Sequence, residues 1–156
     1  MRLLVIAVGT RMPGWVTEAV RDYSGRMPAD HTIEWREIKP EPRSAGGSAS
    51  VWLQREAERI RAAIPEGARR VALDERGRDL DTTGLAQRLS DWREHHRTIA
   101  MLIGGPDGIE PGLRRDAHEM IRLSSLTLPH PLVRVILAEQ LYRAWSILAG
   151  HPYHRA

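Results

Sequence analysis

Cysteine is absent from this 156-residue chain. A chain without thiols has no disulfide framework, no thiolate nucleophile and no cysteine-based metal site. Long hydrophobic runs are absent too, because none approaches the roughly 20 apolar residues that cross a bilayer. The amino-terminal stretch 1–9 is too short and too lightly charged for a signal peptide. These absences predict an intracellular protein, and we expect it in the cytoplasm.

Lysine is nearly absent. Lys39 is the single lysine among 23 basic residues, and the formal net charge is +3. The other basic residues are arginines, whose planar guanidinium suits phosphates and the edges of bases. An arginine-rich surface is therefore compatible with nucleic acid. A GC-rich genome would also favour arginine over lysine, so composition leaves both explanations open.

Apolar periodicity predicts an α/β domain that spans residues 1–156. Continuous apolar runs at 3–8 and 98–103 are typical of strands buried on both faces, as in a parallel sheet. Elsewhere apolar residues recur at intervals of three and four, which is typical of amphipathic helices. The predicted strands are 3–8, 31–38, 69–74, 98–103 and 121–128, and the predicted helices are 15–26, 51–64, 82–95, 109–120 and 132–148. This alternation favours a mainly parallel sheet flanked by helices.

Three predicted strand ends have unusual chemistry, namely 73–77, 103–108 and 123–129. Ligands of open α/β sheets bind beyond the carboxyl ends of the strands. Gly104 and Gly105 would let a ligand approach the main chain, although their spacing matches neither a phosphate-binding loop nor a dinucleotide fingerprint. Each end could also be an ordinary turn. Three such ends in one small domain favour a polar pocket.

Four sequence blocks carry a family resemblance. They are AVGTRMPGWV near the start, LIGGPDG after the fourth strand, SLTLPHPLVRVILAEQLYRAWSI, and HPYHR at the end. Together they resemble the signature blocks of the small SPOUT-class bacterial methyltransferases that modify a pseudouridine of ribosomal RNA at N3. The resemblance follows the whole chain in order. It implies an α/β knot in which the carboxyl-terminal segment forms a trefoil, a feature that periodicity does not predict.

The same resemblance implies a cofactor and partners. These are S-adenosylmethionine as methyl donor without a metal, a homodimer, and the 23S rRNA of the large subunit or of the assembled ribosome. Carried over residue by residue, the donor pocket would contain Leu73, Gly104, Gly105, Leu123, Ser124, Ser125, Leu126, Thr127 and Leu128. Leu73, Leu126 and Leu128 would form an apolar slot for adenine, with main-chain hydrogen bonds around it.

The tail supplies the candidate catalytic residues. Methyl transfer to an imide nitrogen requires removal of its proton or stabilisation of the resulting anion. On the resemblance we predict that His154 accepts the proton or positions the base, and that Tyr153 stacks on or hydrogen-bonds the pseudouridine. Arg143 would neutralise the developing charge or grip a phosphate. A structural role is open for each: Tyr153 could pack the tail, and His154 could be a solvated terminal residue. Arg143 could pair with Glu139 on its own helix.

Two departures from the family pattern concern the RNA side. Residues 39–50, rich in proline, glycine and serine, predict a mobile surface loop with fewer basic residues than is usual, so it carries little weight as an rRNA contact. Asp107 stands where glutamate is usual and keeps the charge. A second function of another class is a non-catalytic, ribosome-associated RNA-binding knot protein. The intact blocks favour the enzyme, because a binding protein has no reason to keep a donor pocket.

Overall fold

The computed structural model describes residues 1–44 and 46–155. Five strands and five α-helices alternate along these residues, followed by a short 3₁₀ turn at Pro152–His154. The strands are β1 (Arg2–Val8), β2 (Thr32–Ile38), β3 (Arg69–Asp79), β4 (Thr98–Ile103) and β5 (Glu119–Arg122). The helices are α1 (Gly14–Gly25), α2 (Ala49–Ala63), α3 (Thr82–His95), α4 (Pro111–Asp116) and α5 (His130–Ala149). The predicted order of elements is confirmed.

All five of these strands lie in one sheet, in the order β2-β1-β4-β3-β5, and each neighbouring pair is parallel. Parallel neighbours need long crossover connections, which the helices provide. The strand with the alternating pattern, β2, lies at an edge as predicted. The α/β architecture with a parallel sheet flanked by helices is therefore confirmed. The trefoil knot itself stays a prediction of the family resemblance.

The sequence of β1 explains why helices cover both faces of the sheet. Leu3, Val5 and Ala7 point to one face, where they pack with residues of α3 and α5. The alternate residues between 4 and 8 point to the other face and pack with α2 and α4. Side chains alternate along a strand, so a continuous apolar run is buried on both sides. Because α1 packs against α5, it belongs to the first helical layer.

Three residues set helix ends through their local chemistry. Asp81 accepts a hydrogen bond from the main-chain nitrogen of Gly84 at 2.7 Å and so caps α3. Pro131 occupies the first turn of α5, where its missing N–H leaves no gap. Gly150 ends that helix with a φ of 66°, a left-handed conformation that favours glycine.

The last strand is shorter than predicted. It ends at Arg122, so the predicted strand residues 123–128 form a loop. The helix before it also stops early, at Asp116, because Glu119 and Met120 pair with β3. Main-chain pairing with a neighbouring strand outweighs a short helical pattern here.

The tryptophans differ in burial. Trp92 on α3 is fully buried. The apolar stripe of α5 predicts a buried Trp145, but this side chain is only half-buried and stacks on Tyr142 with ring centroids 5.6 Å apart. Trp15 at the start of α1 is 56% exposed. Part of the aromatic surface of α1 and α5 therefore faces solvent.

The segment 39–50, expected to be a mobile loop, contains an ordered set of charges. Arg43 forms an ion pair with Glu56 of α2 at 2.5 Å and another with Asp107 at 2.8 Å. Its guanidinium is therefore bound by carboxylates of the same chain. This agrees with the expectation that the segment contributes little to contact with rRNA. Ala45 lies outside the described residues, and the mobility of the segment stays a prediction.

A largely buried carboxylate joins β5 to α3. Glu119 accepts hydrogen bonds from Arg69 Nε at 2.7 Å, from Arg88 Nη2 at 2.6 Å and from Trp92 Nε1 at 2.9 Å. Burial alone would raise the pKa of Glu119, but the donors outweigh burial and lower this pKa to about 2. The carboxylate is thus charged at neutral pH and ties strand to helix.

We predict that Glu119→Gln lowers the free energy of unfolding by about 2–4 kcal/mol near neutral pH, because two arginines lose their carboxylate. The folded-state pKa lies below the ordinary 4.5. The stabilisation is therefore present above that ordinary value and is lost as pH falls from about 5 to about 2. Urea unfolding near neutral pH and at about pH 3 measures both effects.

The control for this prediction is Glu94→Gln, which removes the charge of an exposed glutamate on α3. Its effect on stability should stay within about 0.5 kcal/mol. Equal losses in the two variants, or a Glu119→Gln effect that persists undiminished at low pH, would contradict the role given to Glu119.

Candidate active site

Strand register brings three strand ends together. Leu73 of β3 pairs with Ile103 of β4 on one side and with Ile121 of β5 on the other. Gly104 directly follows β4, and the loop 123–128 directly follows β5, so both begin beside Leu73. These ends lie at the carboxyl edge of the sheet, where ligands of open α/β sheets bind.

A bulge in β3 forms one wall of the site. The partner of Ile121 shifts from Leu73 to Arg78, so residues 74–77 leave the ladder. Gly77 is required, because a Cβ atom there would lie 2.4 Å from the carbonyl carbon of Ile121. A lone glycine inside a strand pattern is the usual signal for such a bulge. Our predicted strand ended before it, and this boundary was wrong.

Asp74 shapes the bulge. Its side chain is nearly buried, and its Oδ1 accepts a hydrogen bond from the main-chain nitrogen of Arg76 at 2.9 Å. Its Oδ2 lies 3.8 Å from Arg114 Nη1, which links the bulge to α4. The wall therefore has a fixed charged group next to the apolar Leu73.

The second segment is a tight turn after β4. The nitrogen of Gly108 donates to the carbonyl oxygen of Gly105 at 2.9 Å, and Gly108 has a φ of 80°. A Cβ atom on Gly104 would lie 2.4 Å from the carbonyl carbon of Gly108, so only glycine fits there. From outside, Arg43 holds the turn through Asp107. The main chain at Gly104 and Gly105 is half-buried, and the lack of side chains there leaves room for a ligand to approach it.

The third segment is the loop 123–128. Ser124 Oγ accepts a hydrogen bond from the main-chain nitrogen of Leu126 at 2.9 Å, which closes a short turn. Leu126 at its tip is 74% exposed. A large apolar side chain in this position would be stabilised by a ligand that covers it.

Two adjoining cavities lie between the three segments, of about 440 Å³ and about 400 Å³. They share a wall formed by Leu73, Asp74, Glu75, Arg76, Leu128 and Val133. The first cavity is also lined by Arg122 and residues 123–127, and the second by residues 103–109, Arg114 and His130. Every residue predicted to hold the methyl donor lines one of these cavities.

Several lining residues were not predicted. Residues 74–76 reach the cavities because of the bulge, and Arg122 and Val133 flank the loop that separates β5 from α5. The sequence signal for residues 74–76 was the abrupt change from apolar to charged residues after Leu73. Burial, with a smaller contribution from Arg134, lowers the pKa of His130, so this ring is neutral at neutral pH.

The predicted catalytic residues meet at the other end of α5. Arg143 donates from Nε to Glu139 at 2.8 Å and from Nη1 to the main-chain oxygen of His154 at 3.0 Å. The Tyr153 hydroxyl donates to the same carboxylate at 3.0 Å, and the guanidinium lies 4.9 Å from the centroid of its ring. The structure thus brings the three residues together around Glu139, which was not among the predicted site residues.

Two structural roles that the sequence left open are present. Arg143 pairs with Glu139 across one helical turn at 2.7 Å. Tyr153 packs the tail against Tyr142, with ring centroids 4.6 Å apart. Both side chains therefore hold the tail onto α5, whatever else they do.

The three residues differ in their capacity to accept a proton. Burial and the hydrogen bond to Glu139 raise the pKa of Tyr153 well above its usual range, so its phenol stays protonated. The same carboxylate raises the pKa of Arg143. His154 has a half-buried side chain whose Nδ1 is buried and finds no hydrogen-bond partner in the described part of the chain. The imidazole is therefore the one of the three side chains that forms no hydrogen bond or ion pair in the described part of the chain.

The tail and the cavities lie far apart within one chain. The helix α5 begins at His130, which lines the second cavity. Arg143 follows 13 positions later, roughly 20 Å along the helix at about 1.5 Å per residue. None of the three tail residues is part of the lining of either cavity. The structure thus assembles the two predicted groups separately.

Within residues 1–44 and 46–155, no helix combines the length and apolarity needed to cross a bilayer. The same residues contain no group of three or more histidine, aspartate or glutamate side chains that could hold a metal ion. The cavities are lined by glycine main chain, by hydroxyl and apolar side chains, and by individual charged side chains.

Comparison with known proteins gives a consistent result. The chain matches the family described as "Predicted SPOUT methyltransferase" over residues 1–154. It is similar to a protein named Ribosomal RNA large subunit methyltransferase H from Bordetella avium (strain 197N), with 60% identity over 156 residues and full coverage of both chains. A protein of the same name from Ralstonia pickettii (strain 12J) is 56% identical over 155 residues, which is 99% of each chain.

A solved structure adds evidence on the fold. The probable methylase family protein from Haemophilus influenzae Rd KW20 matches with a TM-score of 0.58 over 96% of this chain and 67% of that chain. At 11% identity this likeness concerns the fold alone. The family match covers nearly the whole sequence, and the cavities lie at the predicted strand ends. The chain therefore belongs to the SPOUT methyltransferase family.

Proposed function

We propose that this chain uses S-adenosylmethionine to methylate N3 of a pseudouridine in 23S rRNA, within the large subunit or the assembled ribosome in the cytoplasm. One observation carries the proposal. Three strand ends close around adjoining cavities in a chain that is similar over its full length to proteins named as large-subunit rRNA methyltransferases. The arginine-rich composition is compatible with an RNA substrate.

The cavity lining fits the methyl donor. Each volume falls in the range of small-molecule sites, about 300–1,000 Å³. Leu73, Leu126 and Leu128 offer apolar surface for an adenine ring, and the half-buried main chain at Gly104 and Gly105 offers hydrogen bonds. When bound, S-adenosylmethionine would supply a methyl group attached to a sulfonium. The sulfur leaves as a neutral thioether, which requires no metal. The chain would act chiefly by holding the two reactants in line.

The tail would prepare the acceptor base. The proton on N3 has to be removed for that nitrogen to become a nucleophile. We assign this step to the His154 imidazole, because the Tyr153 phenol keeps its own proton. Arg143 holds the main chain of His154 and is itself paired with Glu139, so it acts as a positioning residue. The Tyr153 ring would offer a stacking surface for the base.

A second copy of the chain would complete the site. The roughly 20 Å along α5 between the cavities and Arg143 supports this arrangement. A two-fold dimer would place the tail of one copy over the donor pocket of the other, and each dimer would contain two such sites. Exposed apolar side chains at Trp15 on α1 and Leu148 near the end of α5 support a partner surface there.

We expect Leu126→Ala to weaken S-adenosylmethionine binding by about tenfold, because the donor would cover this apolar side chain. Folding stability should change by less than about 0.5 kcal/mol, since the side chain is 74% exposed. Calorimetric titration of the whole chain measures the affinity. Val51→Ala, which trims another exposed apolar side chain, should bind normally. Unchanged affinity in Leu126→Ala would argue against this slot.

His154→Ala should slow methyl transfer to ribosomes from cells lacking the gene by about 10²–10⁴-fold, the usual effect of losing a general base. Donor affinity should change little, because His154 is proposed to contact the acceptor base and lines neither donor cavity. Labelled methyl incorporation and calorimetry measure the two quantities. His95→Ala, at an exposed histidine of α3, should behave as wild type. Full activity in His154→Ala would exclude this residue as the proton acceptor.

Mixed dimers test whether the site is shared between subunits. Gly104→Ala should displace the turn that forms one wall of the donor pocket, because its Cβ atom would meet the main chain of Gly108. His154→Ala should disable the tail, so each homodimer is inactive. A heterodimer purified through two different tags should recover about half of the wild-type rate, because one of its two sites receives an intact pocket and an intact tail. An inactive heterodimer of normal stability would show that each chain acts alone.

A further inference from the structure

A second cleft, of about 480 Å³, lies at the opposite edge of the sheet. It is bounded by the end of α2 and the start of β3, which supply arginines, and histidines reach it from the connections after α3 and α4. Arg70 lines it, whereas Leu73 lines the donor cavities three positions further along the same strand. At about 3.3 Å per residue the two sites are separated by roughly 10 Å. The proposed methyl transfer makes no use of this cleft.

A pair of main-chain hydrogen bonds holds His118 beside Arg70. His118 Nδ1 accepts from the main-chain nitrogen of Arg70 at 2.9 Å, and the main-chain nitrogen of His118 donates to the Arg70 oxygen at 3.0 Å. A neutral imidazole that accepts at Nδ1 carries its proton on Nε2. Burial, and then the charges of Arg70 and Arg69, lower the pKa of His118, which agrees with a neutral ring. His118 therefore has an N–H donor that meets no acceptor among residues 1–44 and 46–155.

Arg70 is the cation of the cleft that lacks a carboxylate partner. Arg69 donates to Glu119 at 2.7 Å, and Arg61 donates to Glu110 at 3.2 Å. In the described part of the chain Arg70 forms no ion pair, and its buried Nε has no hydrogen-bond partner. A buried donor without a partner destabilises the folded state, and an anion beside the guanidinium would offset part of this cost.

Other charged groups near the cleft affect its capacity to bind an anion. Glu66 and Asp116 line it and oppose an anion. Asp116 lies 3.8 Å from Arg61, which already offsets part of its charge, and Glu66 is exposed to solvent. His96 adds a second imidazole, whose pKa is lowered by burial and then by Arg69. In the described part of the chain, Arg70 thus keeps an unpaired positive charge, Glu66 an unpaired negative charge that faces solvent, and the two imidazoles add N–H donors.

We propose that this cleft binds a phosphate group through the Arg70 guanidinium and the Nε2–H of His118. Charge-assisted hydrogen bonds from arginine are well suited to phosphate. The source we favour is the RNA backbone, and this part rests on the proposed function. Contacts to phosphates fix the orientation of a nucleic acid without reading its sequence. A free phosphate ester offers the same chemistry and is the other source.

Inorganic phosphate titrated into the ¹⁵N-labelled whole chain tests the site, with the amide signals of residues 69–71 and 118 followed by NMR. Arg70→Gln removes the charge. His118→Asn keeps an acceptor near Nδ1 and removes the donor, whereas His118→Gln places an amide donor near Nε2. Arg70→Gln and His118→Asn should weaken binding by at least about tenfold, and His118→Gln by less. Arg93→Gln, an equal charge change on the exposed side of α3, should bind normally.

Absence of saturable shifts, or equal binding in wild type and Arg70→Gln, would overturn the site. A single-stranded RNA should displace the phosphate, and the same sequence with uncharged methylphosphonate linkages should not. Phosphate that RNA fails to displace would overturn the RNA source and assign a free ester. Calorimetry with S-adenosylmethionine should give wild-type affinity in all four variants. Loss of phosphate binding with normal donor binding would therefore reject the phosphate site without rejecting the proposed methyl transfer.

Discussion

The position of Leu73 between Ile103 and Ile121 is the constraint on which the site depends. Its strand lies in the sheet between two strands that both come later in the chain. Because all three run parallel, the segments that follow them emerge at the same edge. A slip of one residue in either pairing would turn the lining side chains to the opposite face. Strand register therefore determines which residues surround the cavities.

Close main-chain packing then gives those cavities their walls. At Gly77 and Gly104 an added Cβ atom would come within 2.4 Å of a neighbouring main chain, so glycine is required at both turns. The ion pair between Arg43 and Asp107 braces the second turn from outside. Further from the site, Glu119 ties the last strand to α3 and so supports the start of the loop that follows. Apart from the turn between Gly104 and Gly108, these contacts join residues distant in sequence.

The separation in sequence between contacting residues explains which features could be predicted and which could not. The long apolar runs and helical stripes are local patterns, so the order of elements and the parallel sheet could be read from them. The donor-pocket residues followed from the family resemblance, and all of them line the cavities. The bulge at 74–77 was missed because it depends on pairing with Ile121, a residue far along the chain. Glu139 was missed because its importance appears only when the tail folds back onto α5.

Helix α5 separates the two halves of the proposed chemistry, with the donor pocket at its start and His154 beyond its end. The donor pocket is the half on which methyl transfer rests. A crystal structure of the chain grown with S-adenosylmethionine tests it most directly. The donor should occupy the joined cavities, with hydrogen bonds to the main chain at Gly104 or Gly105 and within residues 123–128. A donor bound elsewhere on the molecule, with these three segments uncontacted, would contradict the assignment.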